Sequence, residues 1–195
     1  MKKILIALMF AAALTAGREI YAQNGAMSSE PMKAKPALAV GQTAPDFSLT
    51  ASGGGQVTLS KVGGPAILVF YRGYWCPFCA RQLADLRGLL KPGEKFRLFA
   101  ISVDPAEKSK ELATKIASDG KGELPFLLLS DPGYKTIAGY GLIDPAYEGK
   151  GIYGIPHPAV YILDKKGKVV WAKVEMDYKT RPTNEEIRAE LDKVK

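Results

Sequence analysis

The sequence predicts an α/β fold in which a central mixed sheet, flanked by helices, is covered on both faces. Two observations carry this reading. Short apolar runs of strand character alternate with amphipathic, capped stretches of helix character, and the series closes in two strand runs joined by a tight turn. Alternation puts the sheet between helical layers, and a closing hairpin makes it mixed.

In chain order, Phe47 to Thr50 and Gln56 to Leu59 flank the turn Ser52-Gly53-Gly54-Gly55 and predict an N-terminal β-hairpin. Ala66 to Tyr71, five apolar residues and a tyrosine, predicts a buried strand. Pro77 then opens an amphipathic helix that continues through Arg81, Leu83, Leu86, Leu89 and Leu90. Phe96 to Val103 predicts a second core strand. After it Asp104 caps a helix with Pro105 at its first position, where a missing N–H costs nothing, and Glu107 in its first turn. Leu124 to Leu129 predicts a short strand broken at its start by Pro125, and Asp131-Pro132-Gly133 leads into a helix near Tyr134 to Tyr140. Val160 to Leu163 and Val169 to Val174 flank Asp164-Lys165-Lys166-Gly167 as a second hairpin. Thr183 and Glu186 have the spacing of a capping box for a last helix ending near Lys193.

Residues 1–22 read as a secretory signal. Lys2 and Lys3 precede the apolar stretch Ile4 to Ala16, and Ile20-Tyr21-Ala22 ends in a small residue suited to cleavage. This apolar stretch of thirteen residues falls short of the ~20 that a spanning helix needs, so no stable membrane anchor is expected after cleavage. The destination is the periplasm or the outside, where disulfides persist. Residues 23–40, rich in Ala, Met, Lys, Ser and Pro without periodicity, read as a flexible linker, and 41–195 as one domain. The formal net charge is +7, and removal of Lys2, Lys3, Arg18 and Glu19 with the signal leaves +5. The lysines are scattered, with no dense block or interleaved aromatics, so they read as a solvated surface and no nucleic-acid partner is expected.

The chemistry is concentrated in Trp75-Cys76-Pro77-Phe78-Cys79, which holds both cysteines of the chain between the strand and the helix. At a helix start, unpaired N–H groups and the positive end of the dipole stabilise a thiolate, so Cys76 is expected to be the more exposed and more acidic thiol, below the free value of roughly 8.5. A second thiol one turn on can resolve a mixed disulfide within the chain. A structural disulfide closing so short a loop would constrain the unfolded chain little. Zinc needs about four ligands, against two Cys and one His here, so no metal is expected.

Four stretches resemble, in order, the landmarks of the AhpC/TSA redoxins: Gly41-Gln42-Thr43-Ala44-Pro45-Asp46-Phe47, Val69 to Cys79, Leu129-Ser130-Asp131-Pro132, and Pro158-Ala159-Val160-Tyr161-Ile162-Leu163-Asp164. The resemblance implies a thioredoxin-like fold with the N-terminal hairpin as an extension. Within that superfamily, peroxiredoxins are similar in carrying Pro-x-x-x-Thr-x-x-Cys after the strand. That register lays Arg72 on the proline, Cys76 on the threonine and Cys79 on the peroxidatic cysteine. They also carry an arginine six residues before the Asp of the final hairpin, where this chain has Pro158. Disulfide oxidoreductases are similar in Trp-Cys-x-x-Cys and in a cis-proline at the later position, which Trp75, Cys76, Cys79 and Pro158 match. A cis Pro158 would press the backbone of His157 beside the cysteines to receive a substrate strand.

The site residues expected are therefore Cys76 as attacking thiolate, Cys79 as resolving thiol and its partner in a redox disulfide, Trp75 and Pro158 as a docking ledge, and Arg72 as a tuning cation. Arg81 is expected near the mouth too. Tyr71, Tyr74, Trp75 and Phe78 form an apolar rim, with Tyr71 free to turn inward, and His157 sits at the surface between two prolines. The leading expectation is a secreted thiol-disulfide oxidoreductase working without a cofactor on protein dithiol or disulfide partners. One alternative is a thiol peroxidase that reduces hydroperoxides and takes electrons from a thioredoxin-like donor. Another is a non-enzymatic binding protein with a structural disulfide.

Overall fold

Residues 35–194 are described in the computed structural model of the chain. Its elements are β1 (Ser48–Ala51), β2 (Gln56–Thr58), β3 (Ala66–Phe70), α1 (Pro77–Asp85), β4 (Arg97–Ser102), α2 (Ala106–Ala117), β5 (Leu127–Ser130), α3 (Lys135–Gly139), β6 (Ala159–Leu163), β7 (Val169–Val174) and α4 (Asn184–Leu191). The strands form one sheet in the order β2-β1-β5-β4-β3-β6-β7. β3, β4 and β5 run parallel, while the β1–β2 hairpin and the β6–β7 hairpin close its two edges antiparallel. This is the mixed, helix-flanked sheet with an N-terminal hairpin that the sequence predicts.

β3 is central because its five residues are apolar on both faces. Ala66, Leu68 and Phe70 point into one core layer with Leu49 and with Ile137 of α3. Ile67 and Val69 point into the other with Leu83 of α1, Leu112 of α2 and Ile187 of α4. A strand covered on both faces loses the apolar-polar alternation of a half-exposed one. Each such buried Leu or Ile contributes about 1.5–3 kcal/mol over the exposed state, so the strand that delivers the cysteines is among the most firmly held in the molecule.

The structure departs from the predicted elements at their ends. α1 stops at Asp85 and passes into a 3-10 turn over Leu86–Gly88, as Gly88 and Pro92 do not sustain a helix. β5 starts at Leu127, past Pro125, which has no N–H for a ladder. Asp104 does not cap α2: Pro105 is the N-cap, and the Asp104 carboxylate turns back to accept from Tyr74 N–H at 2.7 Å and Ser102 Oγ at 2.8 Å. Thr183 caps α4 as expected, accepting from Glu186 N–H at 3.2 Å, but Glu186 pairs with Lys173 at 2.9 Å instead of completing the box. The end of the stretch read as linker packs on the domain. Leu38 is buried and its N–H donates to Tyr140 O at 3.0 Å. Gly141, at φ +68°, lies so close to Pro36 that a Cβ there would meet its carbonyl oxygen. The signal read over residues 1–22 and linker residues 23–34 lie outside the described residues. Among the described residues no helix is long and apolar enough to cross a membrane.

Candidate active site

The chain leaves β3 at its carboxyl end with β4 on one side and β6 on the other, the point in an open α/β sheet where a crevice forms. Gly73 lets the chain fold tightly there. A Cβ at this position would stand 2.7 Å from Trp75 Nε1 and 3.1 Å from Asp104 Oδ1. Asp104 then fixes the turn by accepting Tyr74 N–H, and Cys76 N–H closes it on Gly73 O at 3.1 Å. Burial raises the Asp104 carboxyl above its ordinary value, against the two hydrogen bonds that favour its charge.

Cys76 is the N-cap of α1, in extended conformation, with Pro77 in the first turn as preferred there. Its sulfur accepts the backbone N–H of Cys79 at 3.3 Å, in the way that a hydroxyl or carboxylate caps a helix. The Cys76 thiol is lowered from 9.0 to about 6. The hydrogen bond from the Cys79 side chain contributes most, burial opposes it, and the Cys79 N–H with the charges of Arg181 and Arg72 adds to the lowering. Cys79 is pushed up, because it keeps the proton that it shares with Cys76, is buried, and faces the Cys76 charge. The pair is thus a thiolate at Cys76 and a proton-bearing thiol at Cys79. Both are free thiols, 1% and 0% exposed.

Two guanidinium groups converge on them. Arg181 Nη2 donates to Cys79 Sγ at 3.3 Å, while its Nη1 is held by the carbonyls of Tyr178 at 2.8 Å and Thr180 at 2.6 Å. Arg72 is 5% exposed, donates to the Tyr147 hydroxyl, and lies over the rings of Tyr178, Trp75 and Tyr147 at 4.4, 4.9 and 5.2 Å. Aromatic faces stabilise a desolvated cation by about 2 kcal/mol. Arg72 has no carboxylate partner among the described residues, and its Nε is buried without a hydrogen bond, so the thiolate is the anion available to it.

Of the expected residues, Cys76, Cys79, Trp75 and Arg72 come together. Three expectations are corrected. Cys76 is not the exposed thiol, since helix capping turns its sulfur inward. Pro158 is not cis, as every peptide bond among the described residues is trans. Pro158 is buried beside the end of β3, where Ala159 pairs with Phe70, and its carbonyl accepts Glu175 N–H at 2.8 Å, so the chain runs extended from His157 into β6. His157 is no free surface residue: its N–H donates to Leu142 O at 2.7 Å and its Nε2 stands 4.0 Å from Asp144. Tyr71 turns into the core, within reach of Ser109 at 3.4 Å, while Tyr74 and Trp75 are exposed and Phe78 packs edge-on against Tyr178. Arg81 is exposed and does not make the contact to sulfur. That role falls to Arg181, which the sequence reading missed along with Tyr147 and Tyr178. These residues lie outside any motif with the cysteines, and only the basic residue just before the Thr183 cap hints at one of them.

The family model of the AhpC/TSA family matches residues 40–172. Peroxiredoxin Q, chloroplastic, of Oryza sativa subsp. japonica is 35% identical over 136 residues, 66% of this chain and 56% of that protein. Peroxiredoxin Bcp of Bacillus subtilis is 30% identical over 143 residues, 71% of this chain and 88% of the relative. In fold, the crystal structure of a peroxiredoxin-like protein from Aquifex aeolicus superposes with a TM-score of 0.70 at 19% identity, covering 82% of this chain and 89% of that one. The matched span includes the dithiol, Arg72 and Pro158, and on this evidence the chain belongs to the AhpC/TSA family.

Proposed function

We propose that the chain is a thiol peroxidase, reducing hydroperoxides through the Cys76/Cys79 pair. Disulfide exchange with proteins, the leading expectation from the sequence, is less well supported. The observation that carries the choice is the burial of both sulfurs beneath Arg72 and Arg181. A thiolate that attacks a protein disulfide must be reachable by a folded partner, and the trans Pro158 supplies no cis-proline ledge for its strand. A peroxide is small, and it needs donors on oxygens that gain charge in the transition state. The Arg181 donor on Cys79 and the positive charge of Arg72 support this reading, although Pro158 can donate nothing. The peroxiredoxin names of the relatives support the same reading.

In this mechanism the Cys76 thiolate attacks one peroxide oxygen and the O–O bond breaks. The sulfur becomes a sulfenic acid, and the departing alkoxide or hydroxide, its charge facing Arg181, takes a proton from water. The Cys79 sulfur then attacks Cys76, its proton leaves with the hydroxyl as water, and a Cys76–Cys79 disulfide forms. A dithiol donor of thioredoxin type returns two electrons and two protons. The signal read in residues 1–22 supports action in an extracytoplasmic compartment.

Stopped-flow oxidation of the reduced protein by hydrogen peroxide tests this, with Cys76→Ser and Cys79→Ser alongside and insulin reduction as the competing assay. Fast consumption is expected in wild type. It is lost in Cys76→Ser and kept for one turnover in Cys79→Ser, which stops at the sulfenic acid. Loss in Cys79→Ser alone would move the attack to Cys79, as in the peroxiredoxin register. Slow peroxide reaction with brisk insulin reduction would restore disulfide exchange.

A further inference from the structure

Beside the dithiol a groove of about 560 Å³ runs between α1 and the segment before α4. Hydrogen peroxide needs little more room than a water or two, at about 30 Å³ each. The groove is lined by Arg81, Lys179 and Arg181, and neither Arg81 nor Lys179 forms an ion pair among the described residues. Two carboxylates, Asp85 and Glu185, also line it, so three cations face two anions and the groove keeps a net positive charge.

Gln82 is the second, independent sign. It lines the groove at 6% exposure, and both its amide nitrogen and its amide oxygen are buried with no hydrogen-bond partner among the described residues. Arg181 Nε is in the same condition. Buried polar groups left unpaired destabilise a fold, and their retention beside a cavity points to a ligand that completes them. Arg181 links the two places, since it lines the groove and also holds the Cys79 sulfur at 3.3 Å.

We propose that this groove seats the carboxylate of an acidic organic hydroperoxide, whose hydroperoxyl end reaches past Arg181 to the dithiol. The inference rests on the peroxidase reading and names its substrate class. The carboxylate takes charged hydrogen bonds from Arg81 and Lys179 and an N–H from Gln82. Phe78 supplies an apolar wall for the body of the molecule. Charge-assisted bonds of this kind are about twice as strong as neutral ones, which favours the acid over its uncharged parent.

The test pairs cumene hydroperoxide with its para-carboxy derivative. Calorimetry on the reduced protein measures binding of the corresponding alcohols, para-carboxy cumyl alcohol and cumyl alcohol, so that affinity is read without turnover. The carboxylate is expected to bind wild type at least tenfold more tightly than its parent. Arg81→Ala and Gln82→Leu should each remove most of that preference, and the KM ratio of the two hydroperoxides should collapse in parallel. Gln82→Leu should also raise the Tm, because an unpaired amide is replaced by an apolar group of similar size. Equal affinity for the two alcohols, or unchanged affinity in both variants, overturns the subsite. A preserved carboxylate preference in a wild-type protein that consumes neither hydroperoxide upholds the subsite and overturns the peroxidase reading instead.

Discussion

Arg181 donates to the sulfur of Cys79 at 3.3 Å, joining residues 102 positions apart in the chain. Family resemblance alone leads one to expect the site's arginine at position 158, where this chain has a buried proline. The cation comes instead from the segment between β7 and α4, and it sits on the thiol that retains its proton, next to the thiolate of Cys76. Its bonds to the carbonyls of Tyr178 and Thr180 orient it within its own segment.

Removing that cation should make the dithiol less acidic. In Arg181→Met the Cys76 thiol is expected to rise from about 6, since Arg181 is one of the two charges that lower it, leaving the Cys79 hydrogen bond and Arg72. One unit is a tenfold change in thiolate fraction below the titration. The rate of iodoacetamide alkylation at pH 5 should therefore fall about tenfold, with the midpoint of its pH profile moved upward. An unmoved midpoint would show that Arg181 does not act on the thiolate.

Oxidation should loosen the segment that carries Arg181. A disulfide bears no charge and no thiol proton, so it weakens the hold on the guanidinium, and Met176 and Tyr178 beside it are already exposed at 74% and 40%. Amide hydrogen exchange over residues 176–183 is expected to be faster in the oxidised than in the reduced protein, which would open the pair to a dithiol donor. Equal exchange in the two forms would refute this coupling.

Stability of the reduced protein should rise with pH in a defined window. Cys76 titrates at about 6 when folded against 9.0 ordinarily. A depressed acid contributes its full stability above the unfolded value and loses it as pH falls through the folded one. Cys79, raised in the fold, acts in the opposite sense only at and above its ordinary 9.0. Between pH 6 and 8 the reduced form should thus gain about 1–2 kcal/mol over Cys76→Ser, a Tm difference of a few degrees for a domain of this size. Parallel Tm curves for the two proteins across that range would argue against a thiolate at Cys76.

Asp104 is expected to support the site through the backbone. Its carboxylate accepts Tyr74 N–H and Ser102 Oγ–H in a buried setting. Asp104→Ala strands both donors and should cost about 2–3 kcal/mol in urea denaturation, with the m-value unchanged. Asp104→Asn keeps an acceptor and should cost less than half as much. A similar loss in both variants would mean that the charge, rather than the hydrogen bonds, holds the turn.

Local pattern made the frame legible in the sequence. The five-residue apolar β3, the proline at the start of α1, the two-residue spacing of Cys76 and Cys79 and the two hairpins are all dictated by residues close together in the chain. They determine that a dithiol opens a helix at the end of a central strand. Element ends were less legible, because Asp104 answers to Tyr74 and Ser102 and β5 to the ladder it joins, both outside their own segments.

What the tertiary structure alone decided is the chemistry around that dithiol. Burial and capping made Cys76 an enclosed thiolate where the motif suggested an exposed one. Pro158 is trans and, with its carbonyl accepting Glu175 N–H, forms an extended entrance to β6. Long-range folding brought Arg181, Tyr178 and Tyr147 onto the cysteines and Arg72, and left the amide of Gln82 unpaired beside an open groove. Charge, desolvation and donor geometry act through space over a few ångströms, so residues 71 to 105 positions beyond Cys76 set how its sulfur reacts, whereas the strand and helix that present it are set by neighbours in the chain.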